Sequence, residues 1–220
     1  MRDIEHPVKG WHPPTFPEPL QLCGNYCRLS PLGLQDAPEI FAALAKDKSG
    51  ETWRYMPVGP FADIDDLGHF FNKVCQQPDP MFFSITDLDT GQTGGFASYL
   101  RITPAQGCIE VGYIYLSPQL QKTRAATEAM YLMMKNAFDL GYRRYEWKCN
   151  AANQASMAAA QRLGFSFEGI FRQAMVVKGR NRDTAWFSIL DQEWPAIEAR
   201  FQKWLQASNF DSKNRQIRSL

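Results

Sequence analysis

The chain has few of the features that mark membrane, secreted or metal-binding proteins. It contains no apolar run long enough to span a bilayer, and its N-terminus lacks the continuous apolar stretch of a signal peptide. Its five cysteines are an odd number, and it has only three histidines. These counts argue against a disulfide framework or a zinc site, and they favour reduced thiols in a cytoplasmic protein that holds no metal.

Charge and glycine patterns exclude further classes of protein. The formal net charge is only +1, which gives no reason to expect a nucleic-acid partner. No Rossmann glycine fingerprint, kinase motif set, serine-hydrolase elbow or nucleic-acid-binding module occurs in the sequence. We therefore expect neither nucleic acid nor a membrane among the partners of this protein, and we expect a monomer or a homodimer.

Length and composition predict a single folded domain. A chain of 220 residues with 45% hydrophobic residues can bury one sizeable core. Five prolines within residues 1–20 predict an extended N-terminal arm. Residues 21–207 are predicted to form the domain, and residues 208–220 a flexible, solvated tail.

Hydrophobic periodicity predicts an α/β fold. Segments rich in β-branched and aromatic residues alternate with segments that have apolar residues at helical spacing. The predicted strands are residues 22–29, 81–86, 93–102, 108–117, 144–149, 165–177 and 184–190, and the predicted helices begin at Asp36, Asp63, Thr123, Asn153 and Asp191.

The central feature is a buried strand, residues 108–117, that leads almost at once into a long helix. The helix from Thr123 is predicted to end at Gly141, which can adopt the left-handed conformation of a C-terminal cap. The first turn of a helix carries unpaired N–H groups and the positive end of the dipole, and the small residues Ala125 and Ala126 let an anion approach. This pattern favours a phosphate site, although an ordinary strand-loop-helix with an exposed basic turn would look the same.

Residues in this turn resemble the acetyl-CoA motif of the GCN5-related N-acetyltransferases (GNAT), Gln/Arg-x-x-Gly-x-Gly/Ala. Gln121 stands first and Ala126 last, while Arg124 replaces the middle glycine. A longer stretch is similar to the RimJ/RimL-like branch, which acetylates protein N-termini and related amines. That stretch comprises Asn153-Gln-Ala-Ser156, Arg162-Leu-Gly-Phe165, Glu168-Gly169, Arg172, Lys178-Gly-Arg180, Arg182-Asp183 and Glu193-Trp194.

The resemblance covers approximately residues 20–205 and implies a specific fold and co-substrate. It implies a mixed, mostly antiparallel sheet of about seven strands, splayed between its fourth and fifth strands and flanked by helices, with an extra C-terminal helix. The splay would admit the pantetheine arm of acetyl-CoA, which would bind the exposed strand edge as an added strand does. The candidate cofactor-binding residues are Ile114, Tyr115, Leu116, Gln121, Lys122, Thr123, Arg124, Ala125, Ala126, Asn153 and Ser156.

Several of these side chains have more than one interpretation. Arg124 is predicted to pair with a CoA phosphate through its guanidinium. Asn153 can present its amide to pantetheine and can also cap a helix. Basic residues in the turn at 178–183 could contact substrate or phosphate, or could simply be exposed to solvent, and Asp183 is expected to orient one of the arginines.

Acyl transfer from a thioester to an amine needs a base for the amine and a proton for the thiolate. Glu110 is the only carboxylate on the central strand, where apolar surroundings would raise its pKa, so it is the candidate base; a structural salt bridge is the alternative. Many family members place a tyrosine acid four residues before the glycine of the Leu-Gly-Phe turn, but Ala160 stands there. Ser156 is then the nearest candidate acid, unless it is an ordinary helix residue.

The aromatic loop at residues 52–61 either folds over the core or lines a pocket. Trp53, Tyr55 and Phe61 are predicted to form one wall of the acceptor pocket. The sequence thus predicts an enzyme that transfers the acetyl group of acetyl-CoA to a primary amine by direct attack in a ternary complex. A non-catalytic CoA-binding or interaction domain of the same fold is the alternative.

Overall fold

The computed structural model describes residues 7–220 as one sheet covered by helices on both faces. The strands are β1 Leu22–Cys23, β2 Cys27–Pro31, β3 Met81–Asp87, β4 Gln92–Thr103, β5 Cys108–Leu116, β6 Arg144–Asn150, β7 Ser166–Val177 and β8 Arg180–Leu190. The helices are α1 Ala37–Leu44, α2 Ile64–Cys75, α3 Arg124–Asp139, α4 Gln154–Leu163 and α5 Trp194–Trp204.

The sheet has the order β1-β2-β3-β4-β5-β6-β8-β7, and all neighbouring strands are antiparallel except β5 and β6. These two strands pair only from Cys108 with Arg144 to Val111 with Trp147, so they separate beyond that point. The predicted α/β fold, with a mostly antiparallel splayed sheet, is confirmed. Because the first predicted strand is divided in two, the splay lies between β5 and β6 and the sheet has eight strands.

The division of the first predicted strand, residues 22–29, has a clear physical cause. Buried Glu128 of α3 accepts hydrogen bonds from the backbone N–H groups of Asn25, Tyr26 and Cys27 at 2.8, 2.6 and 2.8 Å. The carboxylate occupies the space that a Cβ on Gly24 would take. The chain therefore turns around Glu128 instead of running straight, which the local sequence pattern could not indicate.

Two hydrophobic clusters fill the spaces on either side of the sheet. The larger cluster packs α3, α4 and α5 against one face, and the smaller packs α1 and α2 against the other. On β5, Ile109 and Val111 belong to the first cluster and Tyr115 to the second. The central strand is thus buried from both sides, as its apolar sequence predicts.

Most predicted helix ends are found where their capping residues stand. Thr123 and Asn153 accept hydrogen bonds from the N–H groups three residues later, and Gly141 and Gly164 are left-handed at φ 93° and 103°. The start of the last helix differs from the prediction. Its N-cap is Glu193 instead of Asp191, and the Glu193 carboxylate accepts the Leu190 N–H.

Both chain ends lie on the domain where the structure describes them. Pro14 and Pro17 are buried and Tyr142 donates to the Thr15 carbonyl at 3.3 Å, while residues 1–6 of the predicted arm lie outside the described residues. The C-terminal segment differs from the predicted flexible tail. Buried Asn209 donates to the Trp204 carbonyl and accepts from the Arg218 N–H, so polar side chains hold this segment in place.

None of the helices within residues 7–220 combines the length and apolar character needed to cross a membrane.

Candidate active site

The exposed edge of β5 begins where its pairing with β6 ends. A register shift lies between the β4–β5 pairs Phe96–Tyr115 and Ser98–Gly112, and Tyr113 has a left-handed φ of 47° within it. Such a bulge bends the strand and turns it out of the regular ladder. The predicted pantetheine-binding residues 114–116 follow the bulge, on the part of β5 that has no β6 partner.

The loop from β5 to α3 presents main-chain groups near this edge. The Gln121 side chain donates to the Leu116 carbonyl at 2.9 Å, so the first motif residue fixes the loop to the strand. Lys122 is left-handed at φ 60°, and the Thr123 hydroxyl accepts a hydrogen bond from the Ala126 N–H at 3.1 Å. Because the first N–H groups of a helix have no partner within it, those of Arg124 and Ala125 have no acceptor in α3.

The Arg124 side chain has a different partner from the predicted phosphate. Its Nε and Nη2 donate to Asp89 at 3.1 and 2.9 Å, and its guanidinium lies 4.1 Å from the centre of the Tyr26 ring. Only 15% of the side chain is exposed. The guanidinium is therefore neutralised by its own chain, and a phosphate would have to compete with Asp89.

We expect Arg124→Ala to leave the Kd for acetyl-CoA nearly unchanged, because the side chain is already paired. At low salt the change should stay below about threefold, whereas loss of a direct phosphate pair would weaken binding about 10- to 100-fold. Calorimetric titration measures this difference. Asp89→Asn is the matched variant: if it tightened binding while Arg124→Ala weakened it tenfold, the guanidinium would bind phosphate after all.

Glu110 lies just before the point where β5 and β6 separate. Its side chain is 4% exposed, and Oε2 accepts from Arg101 Nε at 2.7 Å and from Lys148 Nζ at 3.0 Å. Oε1 lies 3.6 Å from the place of a Cβ on Gly112, the residue at the start of the splay. Burial raises the pKa of Glu110, while the charges of Lys148 and Arg101 oppose this rise. The Glu110 carboxylate thus has both features that the sequence offered as alternatives: it is salt-bridged, and its pKa is raised.

Glu110 is one end of a chain of charges across the sheet. Buried Lys148 also contacts Glu146 at 2.6 Å, and its ammonium lies 3.7 Å from the centre of the Trp186 ring. Arg144 links Glu146 to Glu168. Burial opposes ionisation of Glu146, but the hydrogen bonds from Lys148 and Arg144 outweigh it and lower its pKa. The alternation of charged and apolar residues on β6 predicts that one face of this strand is polar. It does not predict which residues of β5 and β7 the charged side chains contact.

Asn153 and Ser156 lie together at the start of α4. The Asn153 Oδ1 accepts the Ser156 N–H at 3.1 Å, so the capping role exists. The Trp147 indole donates to Ser156 Oγ at 3.1 Å, which fixes the position of the hydroxyl oxygen. Trp147 is also the last β6 residue paired with β5, so Ser156 lies beside the splay.

The three aromatic residues proposed for the acceptor pocket have different environments. Trp53 is only 4% exposed and stacks on Tyr115 at 4.8 Å, so it is packed into the smaller cluster. Phe61 packs edge-on against Trp53 at 5.3 Å. Tyr55 extends to the start of α4, where its hydroxyl donates to the Ala152 carbonyl next to Asn153 at 3.2 Å.

Lys178 ties this loop to the β7–β8 hairpin. Its ammonium donates to the carbonyls of Trp53 and Gly59 at 3.0 and 2.6 Å, across more than a hundred residues of sequence. The sequence predicts contact with substrate or phosphate, or exposure to solvent, for this lysine. A lone lysine in a turn gives no signal for such a distant contact.

We expect Trp53→Ala to destabilise the protein by about 3–5 kcal/mol, because it removes a large buried ring. The acceptor KM of the remaining folded enzyme should not change. Urea unfolding and steady-state kinetics measure the two effects. Tyr55→Phe is the matched variant, which should cost less than about 1.5 kcal/mol since it removes one hydrogen bond. A large rise in acceptor KM for Trp53→Ala without loss of stability would place Trp53 in the pocket wall instead.

Within residues 7–220, no group of three or more His, Cys, Asp and Glu side chains is arranged to hold a metal ion.

A sheet that opens beside a helix N-terminus, with a buried carboxylate at the opening, defines a class of acyltransferase. Residues 27–166 match the model of the family described as Acetyltransferase (GNAT) domain. The chain belongs to this family and is an acyl-CoA-dependent acetyltransferase.

Solved structures and a curated relative agree with this membership. A GCN5-related N-acetyltransferase from Brucella melitensis is 45% identical with a TM-score of 0.94, over 96% of this chain and 97% of that one. A probable acetyltransferase of the GNAT family from Chromobacterium violaceum is 41% identical with a TM-score of 0.82, over 89% of this chain and 98% of that one. The uncharacterized N-acetyltransferase p20 of Bacillus licheniformis is 27% identical over 66% of this chain and 83% of its own length.

Proposed function

We propose that this protein transfers the acetyl group of acetyl-CoA to a primary amine, either of a small molecule or of a protein N-terminus. The observation that carries the proposal is the position of Glu110, a buried carboxylate next to the point where β5 and β6 separate. An opening between strands provides a place where a thioester and an amine can meet, and the carboxylate provides a base there.

Acetyl-CoA fits the main-chain groups exposed around the splay. Its pantetheine arm contains two peptide-like amides, which can pair with the free edge of β5 at residues 114–116. Its pyrophosphate is an anion, which suits the N–H groups at the start of α3. We assign these contacts to the backbone of Lys122, Thr123, Arg124, Ala125 and Ala126, with Gln121 holding the loop and the Asn153 amide as an additional donor.

We assign Glu110 the role of general base, which takes a proton from the attacking ammonium through a water. Arg101 and Lys148 hold Oε2, so Oε1 is the oxygen on the side of Gly112 that can accept the proton. Removal of this proton exposes the amine lone pair, which attacks the thioester carbonyl. The carbon–sulfur bond then breaks, and the nitrogen loses its second proton to water to give the neutral amide. The thiolate takes a proton from water, either directly or through the Ser156 hydroxyl, which water then reprotonates.

Direct attack in a ternary complex is favoured over an acyl-cysteine intermediate. Cys149 lies on β6 near Ser156, but it is buried, and burial raises its pKa despite the hydrogen bond from Ser156. A thiol that stays protonated is a poor nucleophile. The thioester is therefore attacked by the acceptor itself.

The branch and the location are further parts of the proposal. The residues from Asn153 to Trp194 support a RimJ/RimL-like acetyltransferase, whose acceptors are protein N-termini and related amines. All five cysteines are free, which supports a reducing compartment and hence the cytoplasm. Tyr55, beside Ala152, is the aromatic residue best placed to contact the acceptor.

The proposal is tested by incubating the protein with acetyl-CoA and a panel of amines and N-terminal peptides. Free CoA thiol and acetylated amine should appear in equal amounts. The rival function, a CoA-binding domain without activity, is motivated by Arg124 in place of glycine and by Ala160 in place of the tyrosine acid. Tight binding of acetyl-CoA with no acetylated product from any amine would support that rival.

A further inference from the structure

Three consecutive residues on one face of β8 bear buried polar atoms that have no hydrogen-bond partner within residues 7–220. They are Nε of Arg182, Oγ1 of Thr184 and Nε1 of Trp186. Alternate residues of a strand point to the same face, so the three side chains form one row, which we call the β8 row. Buried polar atoms are nearly always paired in proteins, so three adjacent exceptions indicate a missing partner.

The chemistry of these atoms indicates what the partner is. Arginine Nε and tryptophan Nε1 can only donate hydrogen bonds, and a threonine hydroxyl can also donate. Three donors in a row need acceptor oxygens. A carboxylate or phosphate supplies several such oxygens within a short distance, whereas an amine supplies none.

The β8 row continues the charged network of the candidate active site. Trp186 pairs with Lys148 across β6–β8, and Lys148 contacts Glu110. Arg182 lies close enough to Glu110 and Arg101 for their charges to affect it, and burial, with the charge of Arg101, lowers its pKa. The row therefore lies on the same side of the sheet as the proposed base.

Arg182 is also the charge that this network leaves uncompensated. Salt bridges join three cations, Arg101, Arg144 and Lys148, to three carboxylates, Glu110, Glu146 and Glu168. Arg182 lies near enough to feel the charges of Glu110 and Arg101 but makes no salt bridge within residues 7–220. Asp183, expected from sequence to orient an arginine, instead accepts from the Gln173 N–H at 2.7 Å and from Asn181 Nδ2 at 2.9 Å. A partly buried guanidinium without an ion pair in residues 7–220 attracts an anion from outside the chain.

We propose that the acceptor amine carries an anionic group, a carboxylate or phosphate, and that the β8 row binds it while Glu110 takes the amine proton. This inference rests on the proposed transferase function and narrows its substrate class. Arg182 selects the acceptor, because its fork of donors matches two oxygens of one anion. Thr184, the next residue of the row, donates to the same anion, and Trp186 donates to an oxygen further along the bound acceptor. The acceptor is then held through its anionic group, and its amine is left free to react.

Matched pairs of acceptors test the proposal by kcat/KM. Alanine is compared with alaninamide, O-phosphoethanolamine with ethanolamine, and a peptide with Asp at its second position with the Asn peptide. The parent enzyme should prefer the anionic member of at least one pair. Arg182→Ala should reduce that preference about 10- to 100-fold, through a higher KM for the anionic acceptor.

Two further variants separate recognition from folding. Arg182→Lys keeps the charge but loses the fork, so it should retain part of the preference. Arg180→Ala removes an exposed arginine from the same hairpin and should leave the preference unchanged. Equal preference in the parent and in Arg182→Ala would overturn the proposal, and so would a parent that favours the neutral member of every pair.

A binding measurement tests whether the β8 row binds an anion, independently of turnover. The parent, saturated with CoA, is titrated with N-acetylalanine, N-acetylalaninamide and inorganic phosphate by calorimetry. The anionic probes should bind more tightly than the amide, and Arg182→Ala should remove this difference. If no amine is acetylated but the anion still binds through Arg182, the transferase function fails and the anion site stands. If no anion binds the parent, ordered water fills the β8 row and the inference is wrong.

Discussion

Replacing Glu110 by glutamine should lower kcat by a factor of ~10² to 10⁴, the usual contribution of a positioned general base. Glutamine has nearly the same shape as glutamate but cannot take the proton of the attacking amine. The Kd for acetyl-CoA should stay unchanged, because the proposed contacts to CoA come from the backbone of β5 and the start of α3. Stopped-time assays of thiol release, with calorimetric titration of acetyl-CoA, measure both quantities.

The control for this variant is Glu146→Gln. Glu146 pairs with Glu110 across the β5–β6 ladder and also contacts Lys148, so its loss perturbs the same charges. Both of its carboxylate oxygens are held, Oε1 by Arg144 and Oε2 by Lys148, so neither is free to take the proton of the acceptor. Its replacement should leave kcat within about tenfold of the parent, far from the loss of a general base. Equal losses in the two variants would show that the charge network matters as a whole and that Glu110 has no special role.

Replacing Glu128 by glutamine should destabilise the protein by at least about 3 kcal/mol. The carboxylate accepts three backbone N–H groups, two of them buried, and each hydrogen bond to a charged group is worth about 1.5–3 kcal/mol. A glutamine offers one acceptor oxygen and directs its NH2 group at other donors. Urea unfolding at constant pH gives the change in the free energy of unfolding.

Asp139→Ala is the comparison for Glu128, since Asp139 is an exposed acid on the same helix and pairs with Lys135. This change should alter the free energy of unfolding by less than about 1 kcal/mol. A Glu128→Gln variant as stable as Asp139→Ala would mean that the turn at residues 24–27 does not depend on the carboxylate.

Local signals in the sequence were enough to place most helices and strands. Thr123, Asn153, Gly141 and Gly164 lie at helix ends because capping depends on residues within one turn. The alternating faces of β6 follow the period of two that strands require. The α/β fold could therefore be predicted before any coordinates.

Contacts between distant parts of the chain could not be predicted in the same way. Glu128 reaches a turn about a hundred residues away, and Arg124 pairs with Asp89 across 35 residues. Their partners are chosen by the fold, and no spacing in the sequence marks them. The same holds for the β8 row, where sequence shows three polar residues at alternate positions but not that their polar atoms are buried and unpaired.

The candidate active site was therefore predicted in part. Glu110 was singled out as the lone carboxylate of the central strand, and the structure adds its ion pairs with Arg101 and Lys148. The role of Arg124 as a phosphate ligand was inferred from its motif position alone. The structure shows that its guanidinium also pairs with Asp89, a contact that the motif does not indicate.

The measurement that tests the account most directly is the pH profile of kcat/KM for the parent, Glu110→Gln and Glu146→Gln. A base must be deprotonated to act, so the parent's activity should fall as the pH drops through the pKa of Glu110. Burial raises that pKa, so the acid-side limb should lie above the ordinary range of a glutamate. The account predicts this limb in the parent and in Glu146→Gln and its loss in Glu110→Gln. An unchanged limb in Glu110→Gln, with activity within a few-fold of the parent, would show that the amine loses its proton without Glu110.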